Sequence, residues 1–381
     1  MSFDNATTEV WTDRRRYWWL ASLVVPSLVL ISFALVQATG SGLFWWTGPV
    51  FVYVLVPILD AAFGADERNV PDAAIERHES DRYYRWTLFG TLPLQGISLI
   101  LGAWVATHYS LSTWEWVGLM ITVGTASSAG INAAHEWGHK RDELAHWFAK
   151  LSLAPAGYGH FYVEHNRGHH KNVATFEDPA SSRLGESFYA FLPRTLSGGI
   201  RSAWKIERER LAREGHSVWS IRNDNLQAWA ITIIAFAALT AWLGWPALVL
   251  LIPQALYAIM LLEAVNYIEH YGLRRNMVNG RIERCEPEHS WNSNQIASNL
   301  MLYQLQRHSD HHANPRRAYQ SLRHFDDSPQ LPTGYGGLIP VAMIPPLWFR
   351  VMNRRVVAHY GGDASRANTQ PGYKVGQLPA G

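Results

Sequence analysis

The 381 residues carry 33 Lys and Arg against 31 Asp and Glu, a formal charge of +2 that points to neither nucleic acid nor an acidic substrate. Hydrophobic residues make up 48% of the chain and gather in charge-free blocks that a soluble domain would not tolerate. The single cysteine, Cys285, excludes an internal disulfide and any iron–sulfur centre of four thiolates.

In chain order, residues 18–39, 42–59, 86–107 and 116–134 are free of charge, each near the length that crosses roughly 30 Å of hydrocarbon. Residues 226–262 are also uncharged but too long for one helix. Gly244-Trp245-Pro246 divides them into two antiparallel spans, 226–243 and 246–262. The predicted fold is an all-α integral membrane protein with six transmembrane helices. A cleaved signal peptide in place of the first span fits poorly, because the apolar stretch exceeds a signal core and cleavage would leave an odd number of crossings.

Arg14, Arg15 and Arg16 precede the first span, which places the N-terminus inside by the bias of Lys and Arg toward the cytoplasm. The outer connections are then residues 40–41, 108–115 and 244–246, none of which holds a Lys or Arg. The expectation is a multi-pass protein of the cytoplasmic (inner) membrane with both termini cytoplasmic. Trp18, Trp45, Trp86, Trp114 and Trp245 stand where interfacial anchors belong. Residues 1–360 are expected to form one membrane-embedded domain. Residues 361–381, rich in Gly, Ala, Pro and polar side chains without periodicity, read as a flexible tail or linker. The chain has no internal repeat, Gly-rich phosphate loop or dinucleotide fingerprint.

Of 17 histidines, all but His108 fall on the cytoplasmic side of this topology. His135 and His139 lie four apart where the fourth span ends; His165, His169 and His170 repeat the pattern, as do His308, His311 and His312. His270 stands at the end of the sixth span. Helical spacing of three or four brings two imidazoles onto one ion, and neutral imidazole is the commonest metal side-chain ligand. A lone histidine at such a place is usually structural; three clusters at one membrane face predict a histidine-rich di-metal cap. Imidazole suits zinc, copper, nickel and iron. A closed zinc site takes four ligands, so eight or nine histidines mean two ions, and unequal sharing with open positions suits iron.

Ligating histidines usually donate their second N–H to a carboxylate, carbonyl or amide. Glu263 and Asn266 lie seven and four residues before His270 on its helical face, and Ser128 and Asn132 lie seven and three residues before His135. Glu263 and Asn132 are therefore candidates for that supporting role together with Asn266 and Asp178; Glu136, Glu164 and Asp310 are further carboxylates near the clusters. A carboxylate such as Glu263 that simply reaches interfacial water is the plain alternative. His78, His108, His146, His160, His216, His289, His324 and His359 are assigned no role.

His135-Glu136-Trp137-Gly138-His139 also matches a zinc-protease pattern, with two zinc ligands and a glutamate base, but that reading leaves the other clusters without a purpose. Membrane fatty-acyl desaturases and other lipid hydroxylases share the three-cluster arrangement, and spacing alone does not separate them. The text around the clusters does. His135 to Lys140; Glu164 to His170 with Val173-Ala174-Thr175 and Asp178-Pro179-Ala180-Ser181; Asn266 to Leu273; and Leu305 to Pro315 resemble the alkane 1-monooxygenase family. The resemblance runs from about residue 17 to residue 360, with Trp137 a departure from the smaller apolar residue more usual there.

The resemblance implies that His135, His139, His165, His169, His170, His270, His308, His311 and His312 hold two iron ions. It further implies an oxidoreductase that hydroxylates the terminal carbon of alkanes with O2 as co-substrate. Electrons must come from outside this chain, so a rubredoxin, separate or fused at the C-terminus, with its NAD(P)H-dependent reductase is the implied partner. Recognition of a substrate without polar groups would rest on apolar burial at roughly 0.8 kcal/mol per methylene. Phe44 to Leu55 are candidates to line a channel, and Arg201, Lys205, Arg208 and Arg210 form a basic stretch suited to donor docking or headgroup contact.

Overall fold

The computed structural model describes residues 11–373. Among the described residues six helices are long and apolar enough to cross a membrane: Arg16–Thr39, Gly42–Phe63, Arg82–His108, Thr113–Gly138, Asp224–Leu243 and Trp245–His270. The protein is thus a multi-pass membrane protein with the expected six spans. All six run past the charge-free blocks, because backbone hydrogen bonding continues through the interface after apolar composition stops.

The fourth span is the central helix. Ser112 and Glu115 form a reciprocal cap at its start, with Ser112 N–H donating to Glu115 Oε2 at 2.8 Å. Small residues let its neighbours approach. A Cβ on Gly124 would lie 2.7 Å from the Gln254 carbonyl oxygen of the sixth span, and one on Gly48 of the second span would lie 2.7 Å from Thr122 Cα. Ser127 and Gln254 join the fourth and sixth spans by a 2.8 Å hydrogen bond. By contrast the fifth span exposes Ile233, Ile234 and Trp242, a lipid-facing surface.

Gly244, with φ of 85°, closes the fifth span, and Pro246 opens the sixth, so the predicted turn lies where expected. Trp18, Trp86, Trp114 and Trp245 are exposed as anchors should be. Trp45 is not: the short 3-10 segment Gly42–Trp46 turns it inward, and its carbonyl accepts from Thr122 Oγ1 at 2.7 Å.

All other elements gather at the end of the bundle where the fourth and sixth spans finish. The helix Phe188–Arg213 buries Phe188, Phe191, Thr195, Gly199, Ala203, Glu207 and Leu211, one stripe at helical spacing. Of the predicted basic stretch on its other side, Arg201, Lys205 and Arg208 are exposed, whereas Arg210 is paired with Glu207 at 2.8 Å and Glu214 at 3.1 Å. Among the described residues one hairpin, Met277–Val278 with Arg281–Ile282, interrupts the helical fold; Asn279 and Gly280 supply the two left-handed residues its tight turn requires.

The tail expected to be flexible from residue 361 onward is docked as far as Tyr373. Asn368 N–H donates to the Gly272 carbonyl at 3.0 Å, Leu184 N–H to the Asn368 carbonyl at 2.6 Å, and Asn353 to the Tyr373 hydroxyl at 2.8 Å. Ala364, Ala367 and Asn368 are small enough to be buried there, which is why their lack of hydrophobic periodicity misleads. Residues 374–381 of the expected tail lie outside the described residues.

Candidate metal centre

His135 and His139 end the fourth span and His270 ends the sixth, and the other six clustered histidines approach from two segments folded across those ends. The first segment contains a π-helical stretch, Glu164–His169. Its wider turn puts residues five apart on one face, so His165 Nε2 meets His170 Nε2 at 3.0 Å while His169 turns away. The second is the helix His308–Ala313, where His308 meets His312 at 2.8 Å and His311 points to the other side.

These turns sort the nine histidines into two groups. His135, His139, His165, His170 and His311 form one; His169, His270, His308 and His312 form the other, and in each group one nitrogen per residue lies within 4.8 Å of all the rest. Within the five, His311 Nε2 is 3.0 Å from His170 Nε2. Within the four, His169 is 3.2 Å from His312 and His308 is 3.2 Å from His270, again between Nε2 atoms. The pairing differs from simple i, i+4 spacing: His169 is separated from His165 and shares a group with residues more than 100 positions away.

A metal fits this donor set. A ring nitrogen of neutral imidazole carries either one proton or one lone pair, so His312 Nε2, 3.2 Å from His169 and 2.8 Å from His308, cannot satisfy both contacts by hydrogen bonds, whereas an ion draws the lone pairs together. Both ring nitrogens of His135 and Nε2 of His139 are buried with no hydrogen-bond partner. Burial, followed by repulsion from the neighbouring imidazoles, holds His139, His165, His170, His308, His311 and His312 far below the usual histidine range, which keeps them in the neutral form a metal needs. His169 differs: burial opposes its charge, but the Asp178 carboxylate outweighs burial and raises it.

Asp178 is the one of the four supporting candidates that touches a clustered histidine. Its Oδ2 lies 2.9 Å from His169 Nδ1 and accepts from Ser181 Oγ at 2.5 Å, while Oδ1 accepts from Ala180 N–H at 3.1 Å. Glu263 is fully internal rather than reaching water. It accepts from Tyr158 at 2.6 Å, Thr195 at 2.9 Å and Asn266 at 3.4 Å, so this pair serves a network of its own. Asn132 donates to the Leu302 carbonyl at 2.8 Å. Glu164 stands beside the Glu263 network, its carboxyl pushed up to about 8 by burial. Ser128 bonds only its own helix, to the Thr125 carbonyl.

Sequence reasoning overlooked Glu269, whose Oε2 is 3.2 Å from His308 Nε2 and whose Oε1 accepts from Tyr335 at 2.5 Å. It also overlooked Arg307. This guanidinium is buried and donates to the carbonyls of Leu322 at 2.6 Å, Asp66 at 2.7 Å and Arg68 at 3.2 Å, fixing the residue before His308. Immediately upstream, Tyr303 and Gln304 both adopt left-handed backbone, at φ of 53° each, a conformation that costs of order 1–3 kcal/mol per residue and is kept by its surroundings. A third gathering, Glu283, Glu288 and His289, lies by the hairpin, and its imidazole is already engaged by Glu283 at 3.1 Å and by the Glu286 N–H at 3.0 Å.

Below the centre is an apolar cavity of about 100 Å³. Its lining includes Asn132, Val265, Leu305 and Tyr335, the first three standing three, five and three residues before His135, His270 and His308. Val52 and Phe51 of the predicted channel segment also line it, while most of that segment faces outward or packs elsewhere.

The fatty acid desaturase family model matches residues 112–339. The chain is 44% identical to alkane 1-monooxygenase 1 of Alcanivorax borkumensis, with 97% of this chain and 92% of that protein aligned. It is 46% identical to alkane 1-monooxygenase of Pseudomonas putida over 93% of this chain and 89% of that one, and 43% identical to the Acinetobacter baylyi enzyme over 94% and 89%. With histidine clusters, apolar cavity and near full-length similarity in agreement, the chain belongs to the alkane 1-monooxygenase family, within the wider fatty acid desaturase family.

Proposed function

We propose that this protein hydroxylates the terminal carbon of alkanes at a di-iron centre held by the nine clustered histidines. The observation that carries the reading is two convergent imidazole groups directly above an apolar cavity among membrane spans. The overall reaction takes an alkane, O2, two electrons and two protons to a primary alcohol and water. When bound, the irons supply the dioxygen chemistry. The chain supplies position. Asp178 fixes the tautomer and tilt of His169, leaving its Nε2 lone pair for a metal. The cavity excludes water and receives the end of a hydrocarbon drawn from the bilayer, held by burial worth about 0.8 kcal/mol per methylene.

The reading includes a rubredoxin-like donor served by an NAD(P)H-dependent reductase, because no electron carrier is encoded here by any recognised motif, and a cytoplasmic orientation of the histidine face in the inner membrane. The domain boundary near residue 360 stays part of it only as the limit of the catalytic unit, since residues 361–373 pack onto the same core.

Iron and zinc analysis of the purified protein, followed by gas chromatography after supplying octane, a rubredoxin system and O2, tests the proposal. Two irons and 1-octanol are expected. Two irons with no alcohol from alkanes of several lengths, but an alkene from an acyl substrate, would move the assignment to the desaturases; one zinc and no oxygen consumption would favour the protease.

A further inference from the structure

The cavity of about 100 Å³ beneath the histidines has five polar side chains in its lining: Thr125, Ser128, Asn132, Ser298 and Tyr335. The donor atom of each is already committed. Thr125 donates to the Ile121 carbonyl at 2.9 Å, Ser128 to the Thr125 carbonyl at 2.7 Å and Ser298 to Asp60 Oδ2 at 2.8 Å. Tyr335 donates to Glu269 Oε1 at 2.5 Å, and Asn132 Nδ2 to the Leu302 carbonyl at 2.8 Å. What these side chains have left for a ligand is acceptor oxygens.

One of those oxygens has no partner. Asn132 is 6% exposed, and its Oδ1 is buried without a hydrogen bond, alone in this among the five. Turning the amide over gives no relief, because the reverse orientation sets Oδ1 against the Leu302 carbonyl oxygen. Asn132 stands three residues before His135, so it lies about 4.5 Å below that residue along the helix axis, at the metal end of an otherwise apolar space. An alkane has no hydrogen that an amide oxygen accepts. Insertion of one oxygen atom creates such a hydrogen on the same chain. A water bonded to Oδ1 is the other occupant to consider, and it needs at least one more polar partner in a lining whose remaining polar groups are engaged.

We propose that Asn132 Oδ1 accepts the hydroxyl hydrogen of a primary alcohol, making the cavity a site for aliphatic chains that end in an O–H donor. The assignment rests on the hydroxylase reading above and adds to it a residue that recognises the product. The Leu302 carbonyl turns the amide: by holding Nδ2 it leaves Oδ1 for the ligand. An alcohol so held binds more tightly than the alkane it came from by the worth of one net hydrogen bond, about 2–13-fold. Product then competes with fresh alkane for the same space.

Displacement of radiolabelled octane from the iron-loaded, full-length protein in detergent, kept without reductant so that nothing turns over, decides the matter. The competitors are 1-octanol and 1-fluorooctane, which matches the alcohol in shape and carries no O–H. After correction for partition into micelles, the unaltered protein should bind 1-octanol about 2–13-fold more tightly than 1-fluorooctane. Asn132→Leu removes the acceptor at similar size and should abolish that preference while octane still binds. A purely structural asparagine would weaken all three ligands together and leave the ratio in place. No preference in the unaltered protein, or one that survives Asn132→Leu because the hydroxyl sits on a metal, would overturn the proposal. Where the leucine variant does not accumulate in folded form or no longer retains octane, Asn132→Asp keeps an acceptor oxygen in either protonation state. A preference retained in that variant supports the assignment, and one lost rejects it. Formation of 1-octanol from octane by the unaltered protein is scored separately: its failure removes the hydroxylase reading itself, whereas turnover without the preference removes only the role of Asn132.

Discussion

Replacing Asp178 with Asn preserves shape and removes only a charge and an acceptor. In the native arrangement Oδ2 faces His169 Nδ1 at 2.9 Å and the Ser181 hydroxyl at 2.5 Å, and Oδ1 faces the Ala180 N–H at 3.1 Å. An amide nitrogen at the first position opposes the His169 N–H; flipped, it opposes the Ala180 N–H. Either orientation sets a donor against a donor inside the protein. A buried unsatisfied donor costs about 1–3 kcal/mol, and loss of a hydrogen bond to a charged group costs about 1.5–3 kcal/mol. Both figures agree with the 10–100-fold loss of metal affinity typical for a residue supporting a ligand, or about 1.4–2.7 kcal/mol. Metal equivalents retained against increasing chelator measure this directly, with detergent size-exclusion as the folding control. Ser181→Ala, which removes one donor but leaves the carboxylate, should shift the midpoint less and in the same direction. An Asp178→Asn protein that keeps both equivalents at the wild-type midpoint would show that packing alone orients His169.

The cavity gives a second expectation: Val265→Phe should exclude about two methylenes and lower kcat/KM for long alkanes roughly 15-fold, at about 0.8 kcal/mol each, while sparing short ones in a competition assay. Arg307→Ala leaves at least two buried carbonyls without a donor and should destabilise the protein by about 2–6 kcal/mol, read as lower resistance to denaturant. His160, lowered to about 4 by burial, binds its proton only in the unfolded chain between pH 6.5 and 4. Stability should therefore fall as the pH drops below about 6.5, with a contribution of about 2 kcal/mol at pH 5, and His160→Gln should lose that much less on acidification from pH 7 to 5 in thermal melts.

The six spans were legible because the absence of charge over twenty residues has one physical outcome in a bilayer, whereas the side each residue faces depends on packing, which is why Trp45 was read as an anchor and is buried. The histidines were legible as clusters but not as partners. Regular helical spacing pairs His165 with His169; the π-helical stretch pairs it with His170, and nothing in Glu164–His169 announces that wider turn. Asp178 could be nominated only because a carboxylate near a ligand is a common support, and Asn132 was nominated on the same ground yet serves a backbone carbonyl. Glu269 was hidden by its position next to His270, since adjacent helical residues point about 100° apart and its contact is with His308, distant in sequence. The docked residues up to Tyr373 were missed because their burial depends on Leu184 and Gly272, distant in sequence.

His169 and His170 are consecutive, yet they belong to different halves of the centre, and so do His311 and His312. Two planar peptide units, each fixing Cα atoms about 3.8 Å apart, therefore act as struts between the halves. Were two ions held there, these struts would limit how far apart the two sets of histidine nitrogens could move. Emptying one half would leave a ring whose neighbour still belongs to the other, so a change of shape in either half is passed to its partner through two peptide bonds.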